Sequence, residues 1–303
     1  MTFTTTLKEE IAKQDISIIE VHWELVAFLR STAKFKNNEM TITLENAAVA
    51  RKIYKAIKMV FDIKPNIVIR IQKRFKVKQI YILIIKEKIS YIKETLKIGN
   101  KIDIEMLASE EEKLAFVKGS FLAVGNISDP KTSGYHLEFI YSDLKIAKQL
   151  LMILKSFKFK AKLIKRGYKN VVYLKSSENI SDLIKMFGAT NSLFYFEDIR
   201  IYRDHKNMVN RLNNCEIANQ EKTFKTGQKQ LENIMYLKNN NLLNLLDEKT
   251  LIVALTREKY PELSYQELAD IISSEEDYKI GKSGVNHHFI KIAKLVENYR
   301  KKE

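Results

Sequence analysis

The run Lys282-Ser283-Gly284-Val285-Asn286-His287-His288, with Lys291 a turn further on, gathers side chains suited to reading nucleic acid. Asn can hydrogen-bond adenine through both ends of its amide. Lys reaches guanine or a phosphate, and Ser reaches either. Helical spacing puts Lys282, Ser283, Asn286, His287 and Lys291 on or near one exposed side, with Val285, Phe289, Ile292, Ala293 and Val296 as the core stripe behind them. His287 and His288 also read as surface histidines without a task. Adjacent histidines on a helix point to different faces, which argues against a metal site. A second chemistry is phosphate contact. Arg70, Lys73, Arg74, Lys76 and Lys78 cluster in one β-rich stretch, and Lys160, Lys162, Lys165, Arg166 and Lys169 in another. Lysines on hairpin edges also serve simply to resist edge-to-edge pairing.

Composition points the same way. A formal charge of +15 over 303 residues favours a polyanionic partner. The bases are mostly Lys, and the chain is rich in Ile and Asn, as an AT-rich genome produces whatever the function. The single cysteine, Cys215, excludes a disulfide framework and any multi-Cys metal site, and fits a reducing cytoplasm. The longest apolar run, Ile80 to Ile85, is far short of a membrane span, and the N-terminal residues lack the apolar segment of a signal peptide.

These residues need elements to hold them. Residues 1–20 read as a lead-in helix or arm. Trp23 to Lys34 reads as an apolar helix and Met40 to Leu44 as a strand. A helix from Asn46, its N-cap, to about Val60 follows, then strands Ile67 to Ile71 and Val77 to Ile85, and a helix from about Glu87 to Lys97. The order recurs. Glu111 to Ala123 is helical. Tyr135 to Tyr141 alternates as a strand, with Leu137, Phe139 and Tyr141 on one face. A helix capped by Ser142 or Asp143 runs to about Phe157. Strands Lys160 to Lys165 and Val171 to Lys175 and a helix from Ser177 to Phe187 complete the unit. The offset of about 92 residues is a duplication signal. Small residues sit four apart in both leading helices, Ala27/Ser31 and Gly119/Ala123, so two such helices could pack closely about a pseudo-two-fold axis.

Residues from about 245 read as a compact helical unit. One helix starts at Leu246-Asp247-Glu248-Lys249. Ser264-Tyr265-Gln266-Glu267 has the form of a capping box, and Ser283 is a candidate cap for the last helix. The pattern is a helix-turn-helix whose turn, Ser273 to Ile280 with Gly281, is longer than the usual three or four residues or so. Ser264 and Gln266 on its first helix, and Lys282, Ser283, Asn286, His287, His288 and Lys291 on its second, are the candidate DNA contacts. Between the units, Asn207, Asn210, Asn214 and Glu221 lie near one face of a long predicted helix. Such a row of poor helix formers either hydrogen-bonds a neighbouring element or a partner or reflects an AT-rich genome. Cys215 beside it reads as a small packed residue, and the boundary is placed at Asn239 to Asn241.

The stretch from Phe116 to Pro130 resembles the central helix of the LAGLIDADG homing-endonuclease fold, and more specifically that of the bacterial WhiA family. Gly134-Tyr135-His136-Leu137-Glu138 follows at the expected distance. Phe196 to Ile201 and Asn207 to Thr223 are similar to that family's strand-and-linker signature, and Lys282 to His288 to its DNA-reading segment. The resemblance is stronger from residue 111 onward than over residues 1–100. It implies an α+β fold: a duplicated αββαββα domain with a pseudo-two-fold over residues 1–205, with repeats at about 20–100 and 110–190. A linker helix at 206–240 and an all-α helix-turn-helix domain at 241–303 follow. It also implies roles in cell division and chromosome segregation, transcription regulation, and sporulation control in sporulating relatives.

Nucleases of that fold hold a divalent cation on a carboxylate at the end of each central helix. Here those positions carry Thr32 and Val124, neither of which offers an anionic oxygen. Asp129 lies past the helix end beside Pro130, where it organises a turn. The expectation is therefore a DNA-binding protein with no catalytic, cofactor-binding or metal-ligating residue, monomeric, cytoplasmic and nucleoid-associated, on double-stranded DNA. The alternatives are a protein-binding adaptor role for the N-terminal domain and an active endonuclease.

Overall fold

The computed structural model describes residues 2–15, 17–72, 78–97, 106–132, 134–276 and 278–301. It divides into one unit up to Arg203 and another from Asp204.

The first unit opens with α1 (Phe3–Lys13), capped by the Thr2 hydroxyl, which buries Phe3, Leu7 and Ile11 at fourfold spacing. The lead-in segment is thus part of the core. Next come α2 (Ile18–Thr32), β1 (Lys34–Lys36), β2 (Glu39–Leu44), α3 (Ala47–Phe61), β3 (Asn66–Gln72), β4 (Lys78–Ile85) and α4 (Ile89–Thr95). The second repeat runs α5 (Glu110–Val124), β5 (Gly125–Ile127), β6 (Leu137–Tyr141), α6 (Leu144–Ser156), β7 (Lys162–Arg166), β8 (Lys169–Leu174) and α7 (Ser177–Met186). Both are αββαββα. The first and last residues of α2 and α5 are each 92 positions apart. Caps fix the starts: Asn46 accepts from Ala48 and Val49 N–H, Asp143 from Lys145 N–H, and Ser109 with Glu112 forms a capping box.

Each repeat folds a four-stranded antiparallel sheet, ordered β1-β2-β4-β3 and β5-β6-β8-β7. Residues facing the helices are apolar: Met40, Ile42, Leu83 and Ile85 in the first sheet, Leu137, Phe139, Val172 and Leu174 in the second. β1 and β5 are three residues each, too short to show a period in sequence. The small residues of the central helices have the consequence expected of them. A Cβ on Gly119 would stand 2.1 Å from the Glu24 carbonyl oxygen, so α2 and α5 meet backbone to backbone only because Gly occupies that position.

Several expectations are corrected. Phe196 to Ile201 is not a strand but part of α8 (Thr190–Asn239), whose start is tied down by Glu10. That carboxylate accepts from Asn191 N–H, Ser192 N–H and the Ser192 hydroxyl. Asn207, Asn210, Asn214 and Glu221 are exposed, and Cys215 is exposed rather than packed. The boundary does not fall at Asn239 to Asn241, because Ile234 and Leu237 of α8 are already in the core of the C-terminal unit.

That unit packs the end of α8 with α9 (Glu248–Lys259), α10 (Tyr265–Glu275) and α11 (Lys282–Arg300) around Val253, Leu268, Ile272, Val285, Phe289 and Ile292. Fully buried Arg257 donates to the carbonyls of Tyr260, Pro261 and Leu263, bracing the turn into α10. Gly227 lets α8 touch that turn: a Cβ there would lie 2.5 Å from the Pro261 oxygen. Among the described residues no helix is long and apolar enough to cross a membrane.

Candidate nucleic-acid interface

α10 begins at the capping box of Ser264 and Glu267, as the sequence predicts. It runs on to Glu275, past the expected start of the turn. The Ser273 hydroxyl then staples the turn, donating to the Ile280 carbonyl at 3.2 Å and accepting from its N–H at 3.1 Å. α11 has Gly281 as its N-cap, not Ser283, which stands in the first turn. Gly284 sits against Ile280, and a Cβ there would come within 2.7 Å of its side chain.

The core stripe fixes what α11 presents outward. Val285, Phe289, Ile292 and Val296 are buried, whereas Ala293 is exposed, a correction to the expected stripe. Ser283, Asn286, His287, Ile290 and Lys294 are exposed at spacings of three, four and seven, and so share one face. Lys282 is exposed at the first position. Ile290 and Lys294 were missed by the sequence reading, although the same spacing counted from Asn286 and His287 reaches them. Ile290 offers an apolar contact of the kind a thymine methyl accepts.

His288 is the reverse case. It is buried, its Nδ1 2.7 Å from the Thr250 hydroxyl and its Nε2 3.5 Å from that of Tyr278. Burial lowers its pKa, so its place is structural and it is withdrawn as a DNA contact. Lys291 is exposed but leans back to Asp247 at 3.2 Å. Bonds from Thr250, with help from Lys291, bring the Asp247 carboxyl down to about 2. On α10, the Ser264 hydroxyl accepts from Glu267 N–H, and exposed Gln266 bonds Asp270.

The sheets distribute the other candidates unevenly. On the face of the second sheet turned away from the helices, alternation places Lys162, Arg166 and Lys169 together, beside Tyr173 and Glu138. Lys165 points to the opposite face, and Lys160 precedes β7, its N–H bonded to Asn179, so neither joins the cluster. Glu138 is buried and accepts from Asn126. It stands 3.0 Å from His136 and 3.3 Å from Arg166, which is therefore already paired. Burial would raise the Glu138 pKa, but the bonds from His136 and Asn126 outweigh it and the net shift is downward. In the first sheet Arg70 is exposed on the corresponding face, among Val68, Ile80 and Ile82. Lys73, Arg74 and Lys76 lie outside the described residues, as does the side chain of Lys78.

At the cores of the two repeats, α2 ends in Thr32, whose hydroxyl donates back to the Phe28 carbonyl, and α5 ends in Val124. These residues do not fit a divalent cation, which needs carboxylate oxygen there. Asp129 organises its turn, accepting from Lys131 N–H and the Tyr195 hydroxyl.

Models of known families match three successive segments: a WhiA N-terminal LAGLIDADG-like domain over residues 20–99, a WhiA LAGLIDADG-like domain over 113–206, and a WhiA C-terminal HTH domain over 209–296. The probable cell division protein WhiA of Lactobacillus acidophilus is 37% identical, across 95% of this chain and 97% of its own. The chain belongs to the WhiA family. The probable cell division protein WhiA of Staphylococcus aureus strain JH9 is 34% identical, across 100% of this chain and 99% of its own. The fold matches that of full-length WhiA from Thermatoga maritima with a TM-score of 0.57 at 23% identity, covering 98% of this chain and 99% of that one. WhiA relatives thus share its organisation from end to end, with a duplicated LAGLIDADG-like part followed by a helix-turn-helix part.

Proposed function

We propose that this WhiA-family chain is a non-catalytic, double-stranded-DNA-binding regulator of transcription. In this reading it acts in cell division and chromosome segregation, in the cytoplasm and associated with the nucleoid, with sporulation control belonging to sporulating relatives. The observation that carries the reading is the outer face of α11. It holds Ser283, Asn286, His287, Ile290 and Lys294, a mixture of donor, acceptor, apolar and cationic groups in the arrangement a major groove accepts. A net charge of +15 supplies the sequence-independent attraction. Neutral Thr32 and Val124 at the helix ends support the absence of nuclease chemistry.

Binding to genomic fragments selected by immunoprecipitation tests this. Asn286→Ala lowers discrimination between specific and random DNA by about 1–3 kcal/mol while leaving bulk affinity nearly intact. Lys282→Ala weakens all sequences alike and flattens the salt dependence. Unchanged binding in both variants rejects α11 as the reader. Plasmid DNA incubated with Mg²⁺ or Mn²⁺ stays intact. Metal-dependent cutting that Asp129→Ala abolishes would restore the endonuclease.

A second reading, in which the N-terminal unit meets a protein, is favoured by one observation. The β3–β4 half of the outer face of the first sheet is largely apolar, with Val68, Ile80, Ile82 and Ile84 around Arg70, while exposed Lys34 and Lys36 stand on the same face at β1. Comparing the DNA affinity of the full chain with that of a chain lacking the helix-turn-helix part separates the two.

A further inference from the structure

The edge of the first sheet points to a partner. β3 is an edge strand, all seven of its residues are exposed, and no described strand pairs with its outer side. Four of the seven are large and apolar: Ile67, Val68, Ile69 and Ile71, with Ile69 58% exposed. Beside them a groove of about 470 Å³ is lined by Tyr54, Tyr81 and Leu83. Such an edge invites strand addition, and proteins usually protect it with charge.

We infer that β3 pairs with β3 of a second copy of this chain, antiparallel about Ile69, so that two four-stranded sheets become one continuous sheet. The sequence Asn-Ile-Val-Ile-Arg-Ile-Gln reads nearly alike from both ends. A two-fold axis through Ile69 sets it opposite its own copy, Ile67 opposite Ile71, Asn66 opposite Gln72 and Val68 opposite Arg70. Apolar meets apolar on the helix-facing side, amide meets amide at the ends, and no like charges meet directly. A slip by one residue would turn the apolar set of one copy to the other face, which fixes the register.

The second repeat supplies an internal control. β7 occupies the equivalent edge, yet pairing with itself about Ile164 would set Lys162 against Arg166 and Leu163 against Lys165. Like charges then face each other, so this edge repels its own copy while β3 accepts it. The dimer replaces the monomer expected from sequence, and it stands whether or not α11 reads DNA. If α11 does, two copies of it per particle suit an inverted-repeat site.

Sedimentation velocity of the full chain over a concentration series tests the inference. A monomer–dimer equilibrium is expected, tightening as salt screens the repulsion between two chains of charge +15. Ile69→Lys, at an exposed position, weakens the dimer about tenfold or more. In a Cys215→Ser background, Ile69→Cys forms a covalent dimer with a short bismaleimide and Ile164→Cys does not. A wild-type chain monomeric up to its solubility limit overturns the proposal. So does a dimer that survives Ile69→Lys, or one that Ile69→Cys cannot cross-link.

Discussion

The two LAGLIDADG-like repeats share a skeleton and differ in how each satisfies the same position. Glu24 on α2 is buried with Lys52 of α3 at 3.0 Å, and Lys52 also donates to the Ile11 carbonyl. The matching positions of the second repeat, counted from the helix starts and N-caps, are Phe116 and Gln149, also buried. Where the first repeat uses an ion pair, the second uses an aromatic ring and an amide. The sheet faces differ as well: the first is apolar outward over its β3–β4 half and charged at β1 and β2, and the second carries the Glu138, His136 and Arg166 cluster. A duplicated fold therefore fixes backbone paths and helix starts and leaves the chemistry of each site free to diverge.

The contrast can be broken most forcefully at the helix crossing. Gly119→Ala should cost about 3 kcal/mol, measured by thermal unfolding, because its Cβ overlaps a backbone oxygen that cannot move aside. Ala27→Gly at the matching place should cost only about 0.5–1 kcal/mol of helix propensity. Equal effects would mean that the crossing is symmetric. At the buried pair, Glu24→Ala should destabilise by about 3 kcal/mol by stranding the Lys52 charge. The double change Glu24→Phe with Lys52→Gln, which imports the solution of the second repeat, should recover most of that loss in denaturant titrations. The smallest difference lies on the sheets. Arg70→Ala should reduce DNA affinity and the salt slope more than Arg166→Ala, since Arg166 is held by Glu138. Glu138→Gln should narrow that gap, by about 1 kcal/mol at most.

Much of this was legible before the structure. The leading helices, their offset, the Asn46 cap and the Ser264 capping box follow from periodicity and local hydrogen-bonding chemistry, which act over a few residues. β1 and β5 were not, because three residues carry no alternation to detect. The packing of Glu24 against Gly119 joins chain segments far apart in sequence, and only the pairing of small residues hinted at it. The fate of His288 was available and overlooked. It lies three positions after Val285 and four before Ile292, so the core stripe already enclosed it, while neighbouring His287 falls outside. Arg166 shows the limit of counting cations. Its charge is plain in the sequence, whereas its partner Glu138 is on another strand.

The hold that Glu10 has on Asn191 and Ser192 bears on the order of biosynthesis. Helix α1 emerges from the ribosome some 180 residues ahead of the amides its Glu10 carboxylate captures. The latch closes late: α1 finds its core and Lys52 partners well before residue 190, and the long helix gains its anchored start only once translation has passed that point.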